Sequence, residues 1–232
     1  MRLGVLKPNT QDTLRLLSCI KITGCDSVRL ALLKSFKDLL RLDCPLFSTT
    51  IGKQQWMIVN LDIVTYRNGD TIPQVTDAIT WAGLTTGAWC YYNNDAANGA
   101  IYGKLYNWYA VNDLRGLAPQ GWHIPTNEEL TTLSTLLGGD AAAGGKMKTT
   151  GITRWTTPNT SATNESGFAG LPGGYRYDFG TFSSVGTHSG WWSVTESSSS
   201  TSWDISLRYD AGDLRRDEFG KKGGLYVRCL RD

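Results

Sequence analysis

The stretch WDISLRYD, residues 203–210, alternates apolar and polar side chains one by one. A period of two is typical of a β-strand with one buried face. The apolar set, predicted to face the core, is Trp203, Ile205, Leu207 and Tyr209. The polar set, predicted to be exposed, is Asp204, Ser206, Arg208 and Asp210. Acid, base and hydroxyl groups follow one another there without catalytic spacing, which favours a binding surface over an active site.

The composition around this strand predicts an irregular, loop-rich domain. At 232 residues the chain is long enough for one large domain with an appended segment. Its 23 basic and 21 acidic residues give a net charge of +2, which provides no electrostatic attraction for nucleic acid. Twenty-six glycines and nine tryptophans indicate loops and large aromatic side chains rather than a helical bundle. We therefore expect an α+β domain with short strands, and no nucleic-acid partner.

The cysteines and histidines give little support to metal or catalytic chemistry. The five cysteines form no CxxC pair and have no histidine at zinc-ligand spacing. Cys90 and Cys229 are the two that fall in the main domain, where they either pair in an oxidising compartment or remain buried thiols. His123 is predicted to be structural, whereas His188 could border a site. No glycine run has the spacing of a phosphate-binding loop, so we expect no metal and no cofactor.

Residues 1–47 differ from the rest of the chain and are predicted to be helical. Asp26-Ser27 supply an N-cap, and Cys44-Pro45 end the pattern. The apolar positions at helical spacing are Val28, Leu32, Leu33, Phe36, Leu39 and Leu40. Such a stripe needs a partner surface, so this segment either docks on the main domain or serves attachment and homo-oligomerisation. No run approaches the ~18 apolar residues of a membrane span.

Two helices are predicted early in the main domain. The first spans residues 101–111, and the second begins after Thr126, whose side chain forms a capping box with Glu129. Gly138-Gly139 end the second helix. Residues 93–95 and 112–113 are rich in Asn and Asp and favour Asx-turns, with oxygen ligation of calcium as the alternative.

A series of short motifs carries a family resemblance. In chain order these are IGKQQWM at 51–57, YRNGD at 66–70, YNND at 92–95, GKLYNWYAV at 103–111, GWHIPT at 121–126, LPGGYR at 171–176, WWS at 191–193 and VRC at 227–229. Together they resemble the Fibrobacter succinogenes major paralogous domain. The resemblance implies a C-type lectin-like fold, similar to that of formylglycine-generating enzymes, over about residues 48–232. The variable region of such a domain would lie at about residues 191–232.

The same family includes variable proteins of diversity-generating retroelements, in which adenines of a C-terminal repeat are replaced. Asparagine codons of the form AAY then become codons for residues such as Asp, Ser, Arg or Phe. This chain has eleven asparagines between Asn9 and Asn164 and none afterwards. The resemblance therefore implies a ligand-binding protein with a diversified surface. The implied binding residues are Asp204, Ser206, Arg208, Asp210, Asp213, Arg215, Asp217 and Phe219.

The resemblance leaves the ligand open, as a protein or other surface component. A phage virion or bacterial cell surface is the favoured location, with the cytoplasm as the alternative. The first alternative is an undiversified adhesion domain of the same fold. A formylglycine-generating-enzyme-like oxidase is less favoured, since that activity needs two C-terminal cysteines and only Cys229 lies there. Calcium-dependent sugar binding also loses support, because neither Glu-Pro-Asn nor Gln-Pro-Asp occurs. We expect no catalytic activity.

Removing residues 1–47 should change the oligomeric state or the solubility, because the predicted apolar helix loses its partner or the main domain loses its cover. Light scattering after size-exclusion chromatography measures both. The same soluble, monodisperse species before and after truncation would contradict this expectation.

Overall fold

The computed structural model describes residues 48–232, and the predicted N-terminal helical segment 1–47 lies outside these residues. In the described chain, strands outnumber helices. The strands are β1 Ser48–Ile51, β2 Gln54–Met57, β3 Trp89–Cys90, β4 Leu105–Tyr106, β5 Trp122–His123, β6 Gly173–Arg176, β7 Phe182–Val185, β8 His188–Glu196, β9 Thr201–Arg208, β10 Arg215–Gly220 and β11 Leu230–Arg231. The helices are α1 Ala78–Ala82, α2 Ala96–Tyr102, α3 Trp108–Val111, α4 Asn127–Leu136 and α5 Asp140–Met147. The mixed α+β class is confirmed.

A small sheet joins the two ends of the domain. Its strand order is β1-β2-β11-β5, and Leu230 of β11 pairs antiparallel with both Trp56 and His123. A turn at Gly52, which has a φ of +61°, separates β1 from β2. This positive φ favours glycine, and a Cβ at this position would also lie only 2.6 Å from the Leu136 side chain. The last residues of the domain are therefore fixed against its first strands.

The larger sheet has the strand order β10-β9-β8-β6-β7 and curls across the domain. Strands β8, β9 and β10 pair antiparallel, whereas β6 joins β8 in parallel at Gly174 and Ser189. The alternation of apolar and polar residues at 203–210 corresponds to strand β9, which ends at Arg208. Ile205 and Leu207 lie in the core with Trp191 of β8.

Helix α4 forms where its capping box predicts. The Thr126 hydroxyl accepts a hydrogen bond from the Glu129 amide at 3.2 Å, and the Glu129 carboxylate accepts one from the Thr126 amide at 2.8 Å. Leu130 and Leu133 face the core. The chain leaves the helix through Gly138, whose φ of +98° ends the regular backbone.

The prediction of one helix over residues 101–111 is wrong. Helix α2 ends at Tyr102, and Gly103 follows with a φ of +80°. Strand β4 comes next, and Asn107 then starts α3 by accepting a hydrogen bond from the Ala110 amide at 3.1 Å. The Asn107 side chain also accepts from the Ala88 amide at 2.9 Å, so its role is set by a distant segment. Helix propensity depends on neighbouring residues in the sequence and does not predict that contact.

Other predicted local features are structural. Asp95 caps α2 by accepting from the Ala97 amide at 2.8 Å, as expected for an Asx residue at a turn. His123 lies between Asp232 at 2.7 Å and Glu129 at 3.0 Å. Burial opposes protonation there, but the hydrogen bonds to these two carboxylates outweigh it and raise the pKa of His123. A structural role for His123 is thereby confirmed.

Cys90 and Cys229 are both free and buried. Of the two possibilities left open, the structure therefore has buried thiols and no disulfide bond between them. Burial raises the pKa of each thiol to about 12, so neither is a thiolate at neutral pH. Within residues 48–232 no helix is long and apolar enough to cross a membrane.

A buried cation connects the small sheet to the larger one. The Arg228 guanidinium is 2% exposed and lies 4.4 Å from the ring centroid of Phe168 and 5.8 Å from that of Trp191. It donates to Asn60 Oδ1 at 2.8 and 3.2 Å, and to the carbonyls of Met57 and Phe168. Trp191 Nε1 donates to the same Asn60 oxygen at 2.7 Å. One amide oxygen thus accepts three hydrogen bonds in the core.

Replacing Asn60 by alanine should lower the free energy of unfolding by ~3 kcal/mol, because it leaves the Trp191 indole N–H and two N–H groups of the buried Arg228 guanidinium without their acceptor. Urea denaturation of the full chain measures the change. Asn68→Ala is the control, since Asn68 is exposed in a turn and should cost less than ~1 kcal/mol. Similar losses for both variants would contradict this account of the core.

Candidate functional site

The eight residues predicted to bind a ligand gather around the hairpin of β9 and β10. Cross-strand pairing places Asp217 opposite Asp204 and Arg215 opposite Ser206. Residues directly opposite in a sheet share a face, so these side chains lie together. We call this side the polar face; its members are Asp204, Ser206 and Arg208 of β9, Arg215, Asp217 and Phe219 of β10, and His188 and Trp192 of β8. Asp210 and Asp213 lie in the connection between β9 and β10.

The predicted exposure of Asp204 and Ser206 is wrong. Asp204 is 4% exposed and Ser206 is 1% exposed. Strand β9 lies between β8 and β10 in the larger sheet, so side chains from both neighbouring strands flank these two residues. Leu225 also lies against this face, because a Cβ added at Gly190 would meet Leu225 at 3.1 Å and Asp204 Oδ2 at 3.5 Å. The two residues therefore form the floor of the polar face.

The remaining predicted positions reach solvent to different degrees. Asp210, Arg215 and Asp217 are exposed, while Arg208, Asp213 and Phe219 are half-buried. On the opposite side of β9, the prediction of a buried set holds for Ile205 and Leu207. Trp203 and Tyr209 are only half-buried, and Trp203 pairs across the strands with the exposed Glu218 at the edge of the sheet.

An aromatic row crosses the polar face, and the sequence analysis missed most of it. The Tyr175 ring of β6 lies 5.6 Å from Phe219 and 5.1 Å from His188. Phe219 lies 5.8 Å from Trp192. Tyr209 is not part of this row, since it packs against the core on the side that the alternation predicted. Tyr175 joins the site through the parallel pairing of β6 with β8, which no local sequence pattern reports.

On the polar face the two arginines have acidic partners, whereas the carboxyl groups of Asp204 and Asp217 have no basic partner among the described residues. Arg208 Nε lies 3.3 Å from Asp210 Oδ1, and Arg215 Nε lies 3.7 Å from Asp213 Oδ2. Asp217 accepts a hydrogen bond from the Ser206 hydroxyl at 3.4 Å. Asp204 Oδ1 has no hydrogen-bond partner within the described residues. The salt bridges of residues 48–232 thus leave the two facing carboxyl groups without a cation.

The surroundings shift the pKa values of two groups in opposite directions. Burial raises the pKa of Asp204 to about 8, and the negative charge of Asp217 adds to this effect. Burial lowers the pKa of His188 to about 4; Asp217 opposes that change, and Arg208 and Arg215 reinforce it. At neutral pH the imidazole is neutral, and the Asp204 carboxyl group is mostly protonated.

The described residues contain no group of three His, Cys, Asp or Glu side chains able to hold a metal ion. His188 lies on the polar face, where the sequence suggested a site, as a neutral ring beside Tyr175. The site offers aromatic surface, carboxyl groups and paired arginines, which are groups suited to non-covalent recognition.

Because Asp204 has a pKa near 3.9 when unfolded and about 8 when folded, the folded chain binds more protons between these values, and stability falls as pH rises. Asp204→Asn removes this titration. We expect its free energy of unfolding, relative to the parent chain, to increase by about 2 kcal/mol from pH 6 to pH 8. Chemical denaturation across this range measures the difference.

Asp210→Asn is the matched control, since Asp210 is exposed, and its difference from the parent should stay flat within ~0.5 kcal/mol. The raised pKa of His123 affects all three proteins alike and cancels. A flat pH profile for Asp204→Asn would mean that the Asp204 carboxyl group ionises freely in the folded chain.

Comparison with known proteins agrees with the motifs read from the sequence. Residues 49–231 match the family model described as the Fibrobacter succinogenes major domain. A search of curated proteins found no match. The predicted family resemblance is confirmed, and it covers the larger sheet, the small sheet and all five helices of the described chain.

Proposed function

The chain belongs to the Fibrobacter succinogenes major domain family through residues 49–231, and from that premise we propose that it is a ligand-binding protein whose polar face is a recognition surface diversified by a retroelement. The observation that carries the proposal is the pairing of β9 with β10. It collects onto one side of the sheet residues whose codons are reachable from asparagine codons, although they come from two separate strands.

The diversified positions in this proposal are those that reach solvent. They are Arg208, Asp210, Asp213, Arg215, Asp217 and Phe219. Asp204 and Ser206 are excluded, because free replacement of buried residues would conflict with folding. The surrounding strands provide a rigid support, since β9 is hydrogen-bonded on both sides.

Binding without a chemical reaction is part of the same proposal. The oxidase alternative needs a reactive cysteine near the C-terminus, and Cys229 is fully buried with a pKa raised by burial to about 12. A thiol in that state is a poor nucleophile and a poor metal ligand. We also propose that the fold is C-type lectin-like, supported by the family and by the pairing of the first strands with the last one.

The second candidate is an undiversified adhesion domain with the same binding face. The coding DNA distinguishes the two. Diversification requires a near-identical template repeat that differs from the segment encoding residues 191–232 only at adenines, next to a reverse-transcriptase gene. Sequencing of the flanking DNA without such a repeat would leave the undiversified domain as the remaining candidate.

Replacing Asp210, Asp213, Arg215 and Asp217 together by serine should change the free energy of unfolding by no more than ~0.5 kcal/mol for each residue, since three of these side chains are exposed and Asp213 is half-buried. Leu207→Ala is the contrasting variant and should cost ~2 to 5 kcal/mol, because it opens a cavity in the core. Thermal and urea denaturation measure both. A quadruple variant as unstable as Leu207→Ala would rule out diversification at these positions.

A further inference from the structure

We propose that the polar face accepts a cationic side chain, arginine or lysine, from a partner protein, with Asp217 and Asp204 as the anionic groups and Tyr175 and Phe219 as the aromatic walls. This inference rests on the proposed recognition role of the same face, and it adds the chemical class of the group recognised.

The first argument is the unequal pairing of charge. Each arginine of the face already has an aspartate two residues away, at 3.3 Å for Arg208 and 3.7 Å for Arg215. Asp204 and Asp217 face each other across β9 and β10 without a cation among the described residues. A buried acidic oxygen without a partner is costly. The unpartnered Asp204 oxygen calls for a hydrogen-bond donor, and the negative charge of Asp217 beside it favours a donor that is a cation.

The second argument is the placement of the aromatic rings. The Tyr175 and Phe219 rings are 5.6 Å apart and nearly perpendicular, at 78°. Phe219 lies on β10 two residues after Asp217, on the same face. Arginine and lysine bind over aromatic faces within ~6 Å, more strongly where water is excluded. The walls and the carboxyl groups are thus within reach of one side chain.

The chain contains a filled example of the same arrangement. The buried ammonium group of Lys104 lies 4.7 Å from the Trp89 ring centroid and 5.0 Å from that of Tyr91, and it forms a salt bridge with Asp62. The Trp89 and Tyr91 rings are 5.1 Å apart at 68°. Two inclined rings and a carboxylate therefore hold a cation in this protein already. The polar face also has two inclined aromatic rings and a carboxyl group, and there the cation would come from the partner protein.

Proton release gives this contact a pH dependence. A bound cation favours the ionised form of Asp204, whose pKa burial raises to about 8. The other titratable or charged groups that face it are Asp217 and Arg215 from β10, Arg208 from β9, His188 from β8 and Tyr175 from β6. His188 is neutral above pH 6 and does not contribute. The affinity should therefore rise roughly tenfold from pH 6.5 to 8.5.

The probe is N-acetyl-arginine methylamide, titrated into the full-length, ¹⁵N-labelled chain and followed by amide chemical shifts. N-acetyl-citrulline methylamide is the matched neutral probe, because it keeps the planar end group and loses the charge. We expect saturable shifts for residues 188, 204, 206 and 217 with arginine, and at least fivefold weaker binding of citrulline. Equal binding of the two probes, or shifts confined to other residues, would overturn the proposal.

Two variants of β10 sharpen the test. Asp217→Asn keeps the size of an exposed side chain and should weaken arginine binding at least fivefold. Glu218→Gln is the control, since Glu218 is adjacent and exposed but points to the opposite face, and it should bind as the parent does. Equal effects of the two variants would mean non-specific attraction. A parallel titration with inorganic phosphate that shifts the same residues would show an anion site instead.

The outcome is separable from that of the proposed function. If arginine fails to bind while a template repeat is found in the flanking DNA, the cation inference is wrong and diversification remains. If no repeat exists and arginine binds, this face recognises cations without being diversified. In the diversified case Asp217 belongs to the variable set, so the preference for a cation characterises this particular chain.

Discussion

The rest of the domain depends on the three hydrogen bonds accepted by Asn60 Oδ1. They fix Arg228, near the end of the domain, and Trp191, in the middle of the larger sheet, to one residue near its beginning. A buried guanidinium is tolerated only when its donors are satisfied, so this geometry leaves little freedom to the three segments. The buried residues of β8 and β9 thus carry the structural constraint, whereas most candidate residues that reach solvent lie on β10 and in its connection to β9.

Local patterns predicted the parts of the fold that local chemistry controls. The capping box of Thr126 and Glu129 and the glycines after α4 place that helix correctly, since each acts through neighbours in the sequence. The alternation of residues 203–210 identified β9 and sorted its side chains onto two faces. The family resemblance, rather than the alternation, implied the set of eight candidate residues, and the pairing of β9 with β10 brings them to one hairpin.

The predictions that proved wrong concern contacts between distant segments of the chain. Periodicity separates two faces of a strand but does not say whether the second face is covered, and Leu225 and β10 cover Asp204 and Ser206. The expected helix over 101–111 is divided because Asn107 bonds to Ala88 and because β4 pairs with β3. Tyr175 lies at the site because β6 pairs in parallel with β8. These three outcomes share one cause, which is long-range pairing that no window of sequence contains.

The order of segments along the chain gives the closing strand a further consequence. Arg228 and β11 follow the hairpin of the polar face in the sequence, so they leave the ribosome after it. During synthesis, Asn60 and Trp56 lack these partners until the chain beyond the hairpin has been made. A frameshift or premature stop in the hairpin would remove both partners, and the product would not complete its core. The domain can therefore complete its core only when the reading frame is preserved through the segment that encodes the hairpin.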